Sequence, residues 1–319
     1  TGYRRQRQMC IRDRYTTMHF HAEAQIVREL GKFLKNGGIY KGHRPVLWSV
    51  IEKTALADAE VEYHDHKSTT IYACFPISKT DNDKLKEHSI VIWTTTPWTI
   101  PGNRALAVHN DIEYKSLNLK INDGNKNVII ASDLIESFIK ENKIEEYKVN
   151  FSIKGNELTN TFCKHTLYDS GYNFEVPILH GDFVTTEQGT GIVHICPVHG
   201  MDDFILGKQH DLELPMTINE SGIYYDHIPV FNGQHIFKVD QNVCDEIKKN
   251  NNLISQGILV HSYPHSWRSK APLVYKNTSQ WFISMDTNDL RTKALKAIDE
   301  TDFFPKQGQK RLRLSLIHI

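Results

Sequence analysis

The sequence predicts an α+β protein: a β-rich, barrel-like module of about 200 residues, set between two flanks of different character. Three observations carry that expectation. Between about residues 60 and 260 the chain runs in short apolar or alternating stretches broken by turn residues, which is how strands read. Amphipathic helical stripes lie outside that region, one beginning near Glu23 and one near Thr287. The longest unbroken apolar stretches, such as Ile90-Val91-Ile92-Trp93, are about four residues, whereas a membrane helix needs about 20. No membrane partner is therefore expected. A module whose two flanks need each other reads as an insertion.

From the N-terminus, residues 1–14 are basic, with neither a helical stripe nor strand alternation, and they lack the apolar stretch of a signal peptide. They and residues 314–319 are expected to be non-native or disordered ends. Residues 15–59 form the first flank, 60–260 the module and 261–313 the second flank. In the first flank Ile26, Val27, Leu30, Phe33 and Leu34 mark one helix face, and Gly37-Gly38 stops it. Arg44–Val50 is extended, since Pro45 biases Arg44 away from helix. Strands are expected at 69–76, 89–94, 104–109, 112–119, 127–131, 147–153, 174–184 and 190–196, with a hairpin turn at Asn122–Asn125. Helices are expected at 133–141, where Asp133 and Glu136 suit a capping box, at about 202–210 and at 238–250. The second flank reads as a strand-like stretch through Tyr275, another at 280–285, and a helix from about 287 with Leu290, Ala294, Leu295 and Ile298 on one face.

At 319 residues the chain carries a soft prior of about two domains. Its 38 Lys and Arg balance its 38 Asp and Glu, so no global surplus advertises a polyanion, although a local patch can still serve one. The cysteines Cys10, Cys74, Cys163, Cys196 and Cys244 are odd in number and form no CxxC, which argues against a disulfide scaffold and for a reducing cytoplasm. The 17 histidines raise the question of metal or acid–base chemistry.

Two clusters stand out. In Trp93-Thr94-Thr95-Thr96-Pro97-Trp98-Thr99-Ile100-Pro101-Gly102-Asn103 a strand delivers three consecutive hydroxyls into a proline-stiffened loop. Threonine hydroxyls donate and accept, so a row of them can hold a water or a ribose hydroxyl without charge. They can equally satisfy local backbone groups at a strand end. In Gly189–Phe204 (GTGIVHICPVHGMDDF) two glycines allow close backbone approach, His194 alternates with buried strand residues, and Asp202 and Asp203 open a helix. One aspartate can cap that helix, which leaves the second for an ammonium group. His194 and His199 with either aspartate are possible metal donors, but their spacing is neither HxxxH on one helix face nor a strand-paired HxH. The HxH at His64-Asp65-His66 lies in a polar stretch that reads as a solvated turn. No GxSxG elbow, P-loop or GxGxxG is present.

Together, WTTTPWTIPGN and, about ninety residues on, GTGIVHICPVHGMDDF resemble the editing domain of the isoleucyl-tRNA synthetases, a class I aminoacyl-tRNA synthetase family. The valyl and leucyl relatives usually carry arginine where Thr96 stands. The flanks agree at Tyr15–Met18, Glu52–Tyr63, His261–Asp286, Phe303-Phe304-Pro305 and Gln307-Gly308-Gln309, so the similarity runs from roughly Tyr15 to Arg313. The resemblance implies a Rossmann catalytic core interrupted by this insertion. The HIGH and KMSKS signatures of that core are absent from the chain. ATP, magnesium and isoleucine activation are accordingly expected of the full-length enzyme, and the fragment needs no cofactor of its own.

By the same resemblance the fragment hydrolyses valine mischarged onto tRNA(Ile). The implied partners are the tRNA(Ile) acceptor end and the valine and isoleucine moieties, with the chain a monomer. Asp203 pairs with the substrate α-ammonium, and His194 lines the side-chain pocket. Thr94, Thr95, Thr96 and Asn103 hold the terminal adenosine, the ester and the attacking water. Trp98 shapes the pocket or packs, and Trp281 belongs to the isoleucine pocket of the synthetic site. Some relatives bind zinc through two CxxC pairs, but the corresponding positions here are Ser49, Glu52, Ser266 and Ser269, so zinc is not expected. Val198 stands where the family usually has glycine, which puts the turn before His199 in question. Two other readings stay open: an acceptor-end binding module without hydrolysis, and a metal-dependent hydrolase.

Overall fold

Helix-forming residues with an apolar stripe open the first flank, and β-branched runs dominate the module after it. In the computed structural model, which describes residues 16–121 and 124–318, the elements run in order α1 (Phe20–Lys35), β1 (Ile39–Ser49), β2 (Thr54–Ala55), β3 (Val61–Lys79), β4 (His88–Thr94), β5 (Ala105–Val108), β6 (Glu113–Ile121), β7 (Gly124–Ala131), α2 (Ile135–Glu141), β8 (Tyr147–Lys154), β9 (Phe162–Lys164), β10 (Glu175–His180), β11 (Val193–Ile195), α3 (Met201–Gln209), α4 (Asp240–Lys249), β12 (Leu253–Ser266), β13 (Val274–Ile283), α5 (Leu290–Glu300) and α6 (Gln307–His318). The architecture is α+β and sheet-rich. Arg44–Thr278 forms one compact unit, and the segments on both sides of it form the other. Among the described residues no helix is long and apolar enough to cross a membrane.

Ten strands of the larger unit join one sheet, in the order β11-β5-β10-β9-β3-β4-β7-β6-β8, with β12 paired to β3. The middle of β3 (Ile71–Phe75) and of β4 (Ile90–Ile92) is buried on both faces, which is why these stretches read as continuous apolar runs. They join Val128–Ala131 of β7 and Val243, Cys244 and Ile247 of α4 in one core. Strand β5 serves two cores because successive side chains alternate: Leu106 and Val108 face the main core, while Ala105 and Ala107 face a smaller one with Ile195 and Leu206. This places β11, and His194 with it, at the junction of the two.

Several expectations change. The stretch His64–His66 is strand, not turn: it pairs with β12 in a long antiparallel ribbon in which His66 faces His261. The expected Asp133/Glu136 capping box is not formed, because a 3₁₀ turn over Ser132–Leu134 leads into α2 without a side-chain cap. The strand expected through Tyr275 ends at Ser266, and β13 runs unbroken from Val274 to Ile283. Strands β10 and β11 are shorter than expected at their glycine-bearing ends. The expected hairpin turn is only partly visible, since residues 122 and 123 lie outside the described residues, but β6 and β7 pair antiparallel up to Ile121↔Gly124. The two end segments are also partly outside them: residues 1–15 and 319 are not described.

Ser49, Glu52, Ser266 and Ser269 meet in space. Ser266 Oγ donates to both carboxylate oxygens of Glu52 (2.8 and 3.0 Å), the Ser269 N–H donates to it (3.0 Å), and the Glu52 N–H donates to Ser49 Oγ (3.1 Å). Burial would raise the Glu52 pKa, but the bonds from Ser266, Ser269 and Ser49 outweigh it and hold the carboxyl below its ordinary range. A carboxylate whose folded pKa is depressed adds stability above its unfolded pKa and loses it as pH falls through the folded value. Glu52→Ala is therefore expected to lower the melting temperature by roughly 2–4 °C at pH 7, with the gap closing as the pH falls below the ordinary glutamate value and through the depressed folded one. A gap independent of pH would show that the carboxylate charge does not hold this knot.

Candidate active site

β4 carries the threonine row out of the core, and Pro97 and Pro101 turn the chain into a buried 3₁₀ segment, Pro97–Gly102. Two side chains pin that segment from outside. His165 Nε2 donates to the Ile100 carbonyl (3.1 Å), and the Tyr224 hydroxyl donates to the Trp98 carbonyl. Burial pushes the His165 imidazole down to about 3, so it stays neutral, accepts the Leu167 N–H at Nδ1 and stacks on Tyr172. Trp98 itself is buried edge-on to His199, at 4.7 Å between ring centroids.

His194 lies on β11 opposite Leu106 of β5. Its Nδ1 faces Asn103 Nδ2 at 3.3 Å, and its Nε2 faces Thr99 Oγ1 at 2.9 Å. Asn103 Nδ2 also donates to the Ala105 carbonyl (2.8 Å), which fixes the amide with its nitrogen toward the imidazole. An amide nitrogen only donates, so Nδ1 is the acceptor and the His194 proton sits on Nε2. Burial, with His199 adding to it, lowers the His194 pKa to about 4, which keeps the ring neutral at pH 7.

From there the hydroxyls line up. Thr99 Oγ1 accepts from His194 and donates to the Thr96 carbonyl (2.8 Å). Thr96 Oγ1 lies 3.3 Å from Thr99 Oγ1 and 3.2 Å from Thr94 Oγ1, and Thr94 Oγ1 accepts the Thr96 N–H. Asn103 Oδ1, fully buried, has no hydrogen-bond partner.

Asp203 stands in the first turn of α3 without capping it. The cap residue is Gly200, and Asp203 Oδ2 instead accepts the Cys196 N–H at 2.8 Å, two residues along the chain from His194. Gly200 makes room for this carboxyl, since a Cβ there would stand 2.9 Å from Asp203 Cγ. Burial pushes the Asp203 pKa up to about 7, against the Cys196 hydrogen bond and with the help of neighbouring Asp202.

Thr95 borders three cavities. One of about 390 Å³ is shared with Trp93, Thr94 and Gly189–Val193. A second, of about 880 Å³, reaches Tyr72, Glu141 and His261. A third, of about 370 Å³, is shared with Thr96, Trp98, Lys67, Lys238 and Asp240. Asp203, Asn103 and His194 line none of these three; they join the threonine row through β11 and the Thr99 hydroxyl. Gly189 and Gly191 have φ of 76° and 70°, and a Cβ on Gly191 would lie 2.4 Å from Ala131 Cβ, so both glycines are required. Val198 is buried without positive φ, so its turn does not need glycine's freedom.

The sequence-derived residues thus divide. Thr94, Thr96, Asn103 and His194 form one hydrogen-bonded group through Thr99, a residue the motif pattern did not single out despite its i+3 spacing from Thr96. Asp203 is held beside them, and Thr95 and Trp98 line cavities. Trp281 is 67% exposed on β13, in the other unit. Asp240, Lys67 and Lys238 escape sequence reasoning; an aspartate opening a helix reads as a cap, and surface lysines read as a solvated face. Among the described residues no cluster of three or more His, Cys, Asp and Glu could hold a metal ion.

The class of protein is a class I tRNA synthetase, as comparison with known families shows. The family model described as tRNA synthetases class I (I, L, M and V) matches residues 7–318, and the chain belongs to that family. Its relatives include the isoleucine--tRNA ligase of Pelagibacter ubique, 52% identical over 302 residues, and that of Gluconobacter oxydans, 45% identical over 322 residues. Each alignment covers 94% of this chain and 33% of the relative, so the chain spans about a third of their length. A solved structure described as "The crystal structure of GlLeuRS-CP1" aligns with a TM-score of 0.46 and 16% identity, over 60% of this chain and 99% of the other.

The buried carboxyl makes a prediction about stability. With its pKa raised to about 7 from an ordinary 3.8, folded Asp203 keeps a proton that the unfolded chain releases, so stability falls as pH rises through that window. Asp203→Asn keeps an acceptor for the Cys196 N–H and removes the charge. The variant should melt above the wild type at pH 8 and level with it near pH 3; equal melting at pH 8 would refute a buried charge.

Proposed function

We propose that this chain is the editing portion of an isoleucine--tRNA ligase and hydrolyses the ester of valine mischarged onto tRNA(Ile), in the cytoplasm. The observation that carries the reading is the connected group His194–Thr99–Thr96–Thr94 with Asn103 and Asp203 beside it, whose outer member Thr94 lines a cavity bounded by Gly189–Val193. ATP-dependent attachment of isoleucine is assigned to the longer proteins that share this segment.

A pocket that fits isoleucine gains only about 1–3 kcal/mol from the methylene valine lacks, the discrimination problem for which these synthetases are the standing example. A second site that admits valine and excludes isoleucine solves it. In this reading the terminal adenosine of the acceptor end enters the cavity beside Thr94 and Thr95, and its aminoacyl group turns toward His194. The Asp203 carboxylate takes the α-ammonium in a charge-assisted bond. The neutral His194 ring limits the space for the side chain. A water held by the threonine hydroxyls adds to the ester carbonyl; the carbon–oxygen bond to the ribose breaks, the ribose oxygen leaves as a hydroxyl, and valine departs as the free acid. An ester is labile enough that positioning and a few oriented donors account for the rate without a covalent nucleophile.

Incubating the chain with valyl- and isoleucyl-tRNA(Ile) tests this. Valyl ester should disappear well above the spontaneous rate while isoleucyl ester is spared. Asp203→Ala should cut kcat/KM by roughly 30-fold or more, the usual consequence of truncating one partner of a buried charge pair. Background loss of both esters by the wild type would refute hydrolysis, and intact tRNA affinity in such a chain would leave only a binding module.

A further inference from the structure

His199 is a titratable ring of the larger unit that the proposed reaction leaves unused, yet both of its nitrogens are committed. Its Nδ1 lies 2.7 Å from the Tyr275 carbonyl, and its Nε2 meets Thr217 Oγ1. A carbonyl only accepts, so the proton sits on Nδ1 and Nε2 takes the Thr217 hydroxyl. Burial brings the imidazole down to about 4, with the Tyr275 bond opposing and Lys276 adding to the fall, so the ring is neutral at pH 7. The His199 N–H donates to the Cys196 carbonyl (2.9 Å), which closes a turn, and the Asn277 N–H donates to the Val198 carbonyl (2.9 Å). Tyr275 and Asn277 are alternate residues of β13, the outer strand of its three-stranded sheet. The turn therefore serves β13 as a neighbouring strand would, with one backbone bond and one imidazole bond. Its opposite side meets the site. Cys196 gives its N–H to Asp203 Oδ2 (2.8 Å). A Cβ on Gly102 would stand 2.6 Å from Cys196 Sγ and 3.1 Å from Thr217 Cγ2, so the turn and Thr217 press directly on the Pro97–Gly102 segment.

We propose that His199 is a positioning residue: by clamping the Cys196–His199 turn to the Tyr275 carbonyl it fixes the Cys196 N–H, and through it the aim of the Asp203 carboxylate toward the α-ammonium of an aminoacyl ester. The inference rests on the reading that Asp203 receives that ammonium. Of the two clamps to β13, one ends on Val198 and the other on the His199 ring. Without the second, the residue that closes the turn onto Cys196 is free to rotate, and a hydrogen bond weakens steeply with misalignment. Asp203 registers such a change. Burial raises its carboxyl to about 7; the Cys196 N–H is the larger of the two hydrogen bonds that oppose the rise, its own N–H gives the other, and Asp202 adds to the rise. A slack turn therefore lifts the carboxyl further. Asp202 is the charged neighbour of Asp203 and Lys276 that of His199, and both stay in place when the ring alone is replaced. Substitution separates the two ring nitrogens. The amide of asparagine reaches the place of Nδ1 and keeps the bond to Tyr275, whereas that of glutamine reaches the place of Nε2 and keeps only the contact with Thr217.

The test uses the whole chain with carbon-labelled aspartate, the Asp203 signal being assigned through Asp203→Asn, and reads the midpoint of its carboxyl titration by NMR. His199→Ala should move that midpoint up by about half a pH unit or more, the loss of one donor to the ionised form. His199→Asn should keep the wild-type midpoint, and His199→Gln should shift it as Ala does. If His199→Ala does not fold, the Asn and Gln variants carry the comparison. With valyl-tRNA(Ile), the Ala and Gln variants should lose roughly tenfold in kcat/KM, the scale of a misplaced binding group. The acid limb of their pH profiles should follow the carboxyl midpoint, while the Asn variant stays close to the wild type. A midpoint that is the same in every variant, or an Asn variant as impaired as the Gln one, overturns the positioning role, because a ring that merely fills space would not distinguish the two amides. A chain that shows the midpoint shifts but hydrolyses no valyl ester overturns the hydrolytic reading and leaves the control of Asp203 by His199 standing; active hydrolysis with unmoved midpoints does the reverse.

Discussion

An imidazole buried without charge is the constraint on which the rest of the site turns. His194 has an amide donor on one nitrogen and a hydroxyl on the other, and only the neutral tautomer with its proton on Nε2 satisfies both. Protonation would set an N–H against the Asn103 amide group. The direction of every hydroxyl beyond it depends on that choice, since Thr99 must accept from His194 and therefore donates onward to the Thr96 carbonyl. With the ring held neutral well below pH 7, the proposed reaction uses this group to position and not as a cationic acid. That suits a reaction whose substrate is already activated and needs a placed water more than a strong acid.

The scaffold keeps this arrangement stiff by committing buried polar contacts to backbone. His165 and Tyr224 hold carbonyls of the Pro97–Gly102 turn, and the Tyr114 hydroxyl donates to the Gly191 carbonyl, which fixes the glycine turn beside the threonines. Ala131 then closes on Gly191 so tightly that no side chain fits there. Each of these contacts joins segments far apart in the chain, so the site is as ordered as the core beneath it.

The residues of the hydrogen-bonded group are legible in the sequence because they lie in two short segments whose own composition departs from that of ordinary strand ends. The features that escape reading depend on pairing across long separations. His64 and His66 look like a polar turn until β12, nearly two hundred residues later, supplies the partner strand. β13 is hard to read as a single strand because Lys276-Asn277-Thr278 interrupts its apolar pattern, although Lys276 and Asn277 are buried in the fold. Asp240 is an aspartate at a helix start, a position with an ordinary local explanation, and only the fold shows that it lines a cavity. Local pattern reports chemistry when the motif is contiguous, and it is blind where a side chain's environment is built by distant strands.

Asp203 and Asp240, both half-buried, illustrate how environment bears on ligand choice. Burial raises both carboxyls, Asp203 to about 7 and Asp240 to about 6, so the protein itself opposes their charge. With its pKa pushed up to about 7, Asp203 is poised near neutral pH. A ligand that brings a positive charge converts that poise into binding free energy by stabilising the ionised form, whereas a neutral ligand of the same shape gains nothing from it. In the proposed reaction this favours an α-ammonium, because the desolvation that makes the charge unfavourable alone also makes the ion pair strong once formed. The hydrogen bonds from the Cys196 N–H and from the backbone N–H of Asp203 itself oppose that rise and set the limit of this tuning.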